Sequence, residues 1–209
     1  MSTDISRQGA KKCDSLIETR ARRALATFLA GLVTATAGIL AVTVPHSPAQ
    51  AYALHGCKFA QGAPLYVQRG SNTGGWFWDR SREAFARWNS TNTPTSFGVT
   101  TDRPGNVVIT EFTFADSTVT AQMVGACSGG VWSGHSVTIR WATGLHNRLT
   151  YAQGRMVGTH EFGHALGLDH TYPSCSGTKS VMVQGSNKWA CGWGLEPWAD
   201  DINGVHYLY

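Results

Sequence analysis

Charge is what this chain has least of. Asp, Glu, Lys and Arg make up 14% of its 209 residues, against roughly 25% in an ordinary globular protein. Hydrophobic residues reach 42%, with 24 glycines and eight tryptophans. So little charge excludes a disordered chain or a coiled coil, and the rest of the composition describes a compact, loop-rich globular protein. Repeats and low-complexity tracts are also missing, and after the N-terminal segment there is no linker, so one domain of ordinary size is expected. A basic surface is missing as well. Of 17 Lys and Arg and 13 Asp and Glu, six and three fall in residues 1–51, leaving eleven against ten in the remainder. The globular part therefore offers no electrostatic reason to bind nucleic acid.

One long apolar stretch near the N-terminus has no charge. "ALATFLAGLVTATAGILAVTV", residues 24–44, follows Arg22 and Arg23 and precedes "PHSPAQAYA". A basic stretch, an apolar run and small residues in A-x-A spacing predict a secretory signal, with cleavage after Ala51 or Ala53. The alternative is an uncleaved anchor, because 21 such residues are long enough to span a bilayer. The paired arginines raise twin-arginine export, but the residues after them fit that motif poorly and the general route is expected. Residues 1–51 are read as the signal and 52–209 as the mature, secreted, extracellular domain. That domain is expected to be a monomer with no stable membrane association.

Cysteine is sparse too. Cys13 lies in the signal, leaving Cys57, Cys127, Cys175 and Cys191. An even number in an exported chain predicts two disulfides, with three possible pairings. Proximity in sequence favours Cys175–Cys191, and Cys57–Cys127 would follow. Cys57 has a second possible role, as a latency thiol near the mature N-terminus.

Hydrophobic periodicity and turn residues predict strands over 64–70, 95–100, 106–114, 117–127 and 135–141. Helices are predicted from about Trp76 to Asn89, over 149–167 ending at Gly167, and over 197–209. Pro197 suits a first helical turn, and Asp200 and Asp201 suit the positive end of that helix's dipole. This mixture predicts an α+β domain, a mixed sheet with helices on one side.

Three of the eight histidines sit within "HEFGHALGLDH", residues 160–170. Residues four apart lie on one helix face, so His160 and His164 present their rings to one point. Gly167 can stop the helix in a left-handed conformation and let the chain return His170 to the same place. Three imidazoles with an open fourth position suit a catalytic zinc. Glu161, beside the first ligand, is placed to act as general base for a zinc-activated water. His55, His135, His146 and His206 have no spacing partner and are expected to be structural or surface residues. The tryptophans are expected in the core and cleft wall, with Trp141 alone near substrate.

This segment resembles the zinc-binding sequence of the metzincin metalloproteases, HExxHxxGxxH. "SVMVQG", residues 180–185, supplies Met182 where that clan has its methionine turn. Thr171 after the third histidine, the lack of a Tyr soon after Met182, and the ending "DDINGVHYLY" are similar to the matrixin branch. The resemblance covers roughly residues 64–209, with its sharp motifs in the last fifty. It implies a twisted, mixed five-stranded sheet, two long helices, zinc in a cleft and a C-terminal helix. It also implies that Asp200 and Asp201 brace the methionine turn and the N-terminal region. Two matrixin features are missing: a "PRCG" propeptide motif, and the His/Asp cluster that holds structural zinc and calcium. One catalytic zinc is therefore expected, and no motif supports Ca2+. The implied activity is endopeptidase cleavage of protein or peptide substrate, lying extended along the 117–127 strand. The alternatives are an exported zinc-containing binding or adhesion protein with little turnover, and a peptidase of narrow specificity.

Overall fold

The structure is a computed structural model. It describes residues 52–209 except 61, 63, 173, 186, 194 and 195, and the side chain of Asn187. The expected signal, residues 1–51, lies outside the described residues. Among those described, no helix is long and apolar enough to cross a membrane.

The elements run in the order β1 (Ala53–Leu54), β2 (Leu65–Arg69), α1 (Gly75–Asn89), β3 (Phe97–Thr100), β4 (Val107–Phe112) and β5 (Ala121–Val124). There follow β6 (Cys127–Ser128), β7 (Val131–Trp132), β8 (Val137–Ala142), α2 (Tyr151–Ala165), β9 (Leu168–Asp169), α3 (Asn187–Ala190) and α4 (Ala199–Leu208). The expected α+β architecture is present: a mixed five-stranded sheet ordered β3-β2-β4-β8-β5, in which only β5 is antiparallel to its neighbour.

Alternation decides which face is covered. Leu65 and Val67, Val107 and Ile109, and Val137, Ile139 and Trp141 are all buried, while the residues between them on each strand are partly exposed. A period of two places each set on one face of the sheet. Register aligns them across strands: Val67 opposite Val107, Val107 opposite Val137, and Ile109 opposite Ile139. With Phe77, Ala84, Phe85 and Trp88 of α1 and Val157 and Phe162 of α2 they form one core.

Two helices are started by polar groups. The backbone N–H of Gly74, at the head of α1, donates to Glu111 Oε1 at 2.6 Å, placing a carboxylate at the positive end of the helix. Thr150 and Gln153 form a capping box at the head of α2, satisfying donors that the first turn leaves open. Both helices fall within a residue or two of their expected bounds.

Other expectations are corrected. The strand expected over 117–127 is two pieces: β5 lies in the main sheet, and Cys127–Ser128 pairs instead with Val131–Trp132 in a separate hairpin. Helix α4 begins at Ala199, two residues after Pro197. Trp141 is fully buried and donates from Nε1 to Ser81 Oγ at 3.1 Å. It points under the sheet toward α1, because its register puts it on the same face as Ile139, and so it does not face substrate. Disulfides join Cys57 to Cys127 and Cys175 to Cys191, with Cα separations of 6.0 and 5.1 Å. The bond to Cys127 gives Cys57 a structural place and removes it as a latency thiol.

Candidate metal centre

Helix α2 is held in place by tryptophans on either side of its two histidines. Trp88 Nε1 donates to the carbonyl of Thr159, and Trp132 Nε1 to that of Ala165, each at 2.9 Å. His160 and His164, four residues apart, are both buried. The helix stops at Ala165, and Gly167 takes φ +103°, a conformation that L side chains rarely adopt. A Cβ there would also lie 2.5 Å from the carbonyl oxygen of Cys57. The chain then runs back through β9, which pairs antiparallel with β1, and delivers half-buried His170.

The three Nε2 atoms converge. Separations are 3.1 Å for His160–His164, 3.1 Å for His164–His170 and 3.2 Å for His160–His170. His160 Nδ1 lies 2.8 Å from the carbonyl of Val181, and His164 Nδ1 lies 2.8 Å from that of Leu168. A carbonyl only accepts, so each Nδ1 carries the hydrogen and each Nε2 turns a lone pair toward the centre. Burial pushes the His160 ring well below the ordinary histidine pKa and His164 down to about 4. Burial lowers His170 as well. Protons are thus kept off a point where lone pairs face one another at close range. A cation relieves that repulsion. Zinc held at about 2.0–2.1 Å by tetrahedral nitrogens sets them about 3.3 Å apart, so the donor set and its spacing fit zinc.

The carbonyls that orient the rings are anchored from outside the helix. Asp201, in the first turn of α4, accepts from Ser180 Oγ at 2.6 Å, Val181 N at 2.9 Å and Trp198 N at 2.8 Å. Ser180 Oγ in turn accepts from Met182 N at 2.9 Å. The turn carrying the Val181 carbonyl is therefore tied to α4, which is how the resemblance has Asp201 act and is more than a dipole effect. Asp200 is buried beside it. Met182 is buried with its sulfur against Gly163, where any Cβ would collide with it.

Glu161 is buried, with Oε2 accepting from Met123 N of β5 at 2.6 Å. Burial pushes its carboxyl up to about 7, against the hydrogen bond from Met123 and the charge of Lys188. A cavity of about 650 Å³ opens beside these groups, lined by His160, Glu161, His170, Gln184, Lys188 and Trp189 among others.

The other described histidines do not join the convergent ring nitrogens. His55 packs on Trp132, His146 packs on Phe77, and His135 and His206 are exposed. Lys188 is the residue that sequence reasoning missed. It is buried, with Nζ 3.1 Å from His160 Nδ1 and 3.2 Å from the Val181 carbonyl. A lone lysine in an irregular segment carries no spacing signal. Only the return of residues 180–190 toward α2 brings it to the first histidine.

No curated protein matches the chain. One family description does: matrixin, across residues 78–209. That span holds most of α1, all of α2, the three histidines and the turn at Met182. The convergent imidazoles are compatible with that family's zinc-binding motif, and with more than half of its length matched, this chain belongs to the matrixin family of zinc metallopeptidases.

Proposed function

We propose that residues 52–209 form a secreted, monomeric zinc endopeptidase, with residues 1–51 removed as its signal. The observation that carries this reading is Glu161. A buried carboxyl pushed up to about 7 stands next to three convergent imidazoles, at the edge of a cavity large enough for substrate side chains. A metal site with a purely structural role has no use for such a base. The two disulfides fit an oxidising, extracellular setting.

His160, His164 and His170 would hold the zinc, with Met182 packed beneath them. Bound zinc supplies Lewis-acid polarisation of the scissile carbonyl and makes its water more acidic. Glu161 would take the proton from the attacking water and pass it to the leaving amine. The hydrogen bond from Met123 N fixes which way the carboxylate faces. The β5 strand ends the sheet, and Met123 N–H points to Glu161 rather than to β8, so this edge faces the site. An extended peptide laid along it gains main-chain hydrogen bonds.

Glu161→Gln tests the reading. The amide keeps the size of the side chain but accepts no proton. Zinc content and melting temperature should stay near those of the parent, while kcat/KM on a library-selected peptide falls by about 10² to 10⁴. Activity within a few-fold of the parent, with zinc retained, would show that Glu161 is not the base.

A further inference from the structure

The buried ammonium of Lys188 is unused by the mechanism above. The ion pairs among the described residues are Arg80–Glu83, Arg87–Glu196 and Arg103–Asp102, and Lys188 is in none of them. Its nearest acids are committed elsewhere. Glu161 is held by Met123 N, and Asp201 already accepts three hydrogen bonds. Among the described residues, Lys188 Nζ has one acceptor, the Val181 carbonyl. His160 Nδ1, 3.1 Å away, spends its own hydrogen on that same oxygen and cannot accept. Two ammonium hydrogens thus lack an acceptor among the described residues, and burying polar hydrogens without acceptors is costly.

Lys188 lines the 650 Å³ cavity beside the histidines. The cavity's other acid, Asp116, is exposed and turns its Oδ1 onto the N–H and hydroxyl of Thr118. Whatever fills the cavity meets Lys188 on its wall. An apolar side chain would leave those hydrogens unpaired, an amide would accept one of them weakly, and a carboxylate would accept them in charge-assisted hydrogen bonds.

We propose that Lys188 is a specificity-determining residue, and that this cavity takes a substrate carboxylate adjoining the scissile bond. The proposal rests on the peptidase reading. Two sources carry that chemistry: an Asp or Glu side chain, and the free carboxyl terminus of a short peptide.

The test uses the mature, zinc-loaded protein and C-terminally amidated peptides. They differ only by Glu, Gln or Leu at each residue flanking the cleaved bond. A matched set ends in a free carboxylate at the residue that follows the cleaved bond. At one flanking position the parent should prefer Glu over Gln by about ten- to a hundredfold, the worth of a charge-assisted hydrogen bond. Preference for the free terminus would assign the same ammonium to the chain end. In Lys188→Met, and in Lys188→Gln should the first variant fail to fold, the Glu-to-Gln ratio should fall to near one. A ratio within one enzyme is insensitive to a general loss of activity or zinc, which is all that a purely structural Lys188 would cause. A parent ratio near one, or a ratio unmoved by the substitutions, overturns the proposal. Failure of the parent to cleave any peptide would count against the peptidase reading itself. Calorimetric binding of the same peptides then decides the carboxylate question: tighter Glu binding lost in Lys188→Met supports it, and equal binding overturns it.

Discussion

Residues 65–165 and residues 170–198 build one site by different means. The first region is regular. Its strands share hydrogen-bond ladders, and its helices α1 and α2 bury a continuous apolar face against them. Among its described residues the second region has one helix, the four-residue α3, and point contacts fix it: the Cys175–Cys191 bridge, the Thr171–Met182 hydrogen bond and the grip of Asp201 on the turn at Ser180. His160, His164 and Glu161 come from the regular region, while His170, Met182 and Lys188 come from the irregular one. Ladders and core spread the load over many weak contacts, whereas point anchors concentrate it. Losing one anchor should therefore disturb the irregular half more sharply, and at the site first.

The disulfides give the largest expected contrast. Replacing both Cys57 and Cys127 by Ser opens a loop whose ends are 70 residues apart, and chain entropy sets the cost at about 4 kcal/mol. It should appear as a lower melting temperature of the whole domain. The same change at Cys175 and Cys191, 16 apart, should cost about 3 kcal/mol. That loss should show as faster proteolytic nicking between 172 and 195, with amide exchange in the sheet unchanged. Equal protection of both regions in the second variant would erase the distinction.

His170→Ala comes next. It removes the irregular region's one imidazole, and zinc affinity measured by chelator competition should fall by more than about a hundredfold, beyond what loss of a supporting hydrogen bond causes. The metal-free fold should survive, because the ring is half exposed. Full occupancy at submicromolar zinc would show that two helix-borne histidines suffice.

Asp201→Asn should cost about 1–3 kcal/mol, because the amide cannot accept from all three donors and leaves at least one buried N–H or O–H unpaired. It should also change the pH profile. Burial pushes Asp201 up to about 6 from its ordinary 3.8. With the folded pKa above the unfolded one, this carboxyl's contribution to stability is complete below about 4 and is lost as pH rises through about 6. Denaturant titrations at several pH values should show that slope in the parent and a flatter one in the variant.

Thr150→Ala is the smallest test, on the regular side. Loss of the capping box should cost about 1 kcal/mol, with zinc affinity unchanged, since the tryptophan contacts at Thr159 and Ala165 still hold the histidine-bearing part of the helix.

The metal-binding motif and the helix that carries it were legible from residues alone. A helix repeats every 3.6 residues whatever surrounds it, so spacing by four puts His160 and His164 on one face. Gly167 marks its own turn, because φ +103° suits no other residue. The covered sheet face was legible too, from alternation. The 117–127 strand was not. Alternation in sequence does not say which partner each half pairs with, and the hairpin around Gly129 and Gly130 takes Cys127 out of the main sheet. Trp141 was misplaced because composition says that a tryptophan is buried or near a cleft, and register alone decides which.

What the sequence determined by itself is local: two helices, the order of the strands along the chain, and three imidazoles and the candidate base within eleven residues. Tertiary structure alone decided what lies around them. It brought Asp201 to the turn at Val181, turned Met123 N–H onto Glu161, and set Lys188 beside His160 across 28 residues of chain. No local rule links such positions. Met123 reaches Glu161 because β5 packs against α2, and Asp201 and Lys188 reach the site because the irregular segment is pinned at its bridge and at α4.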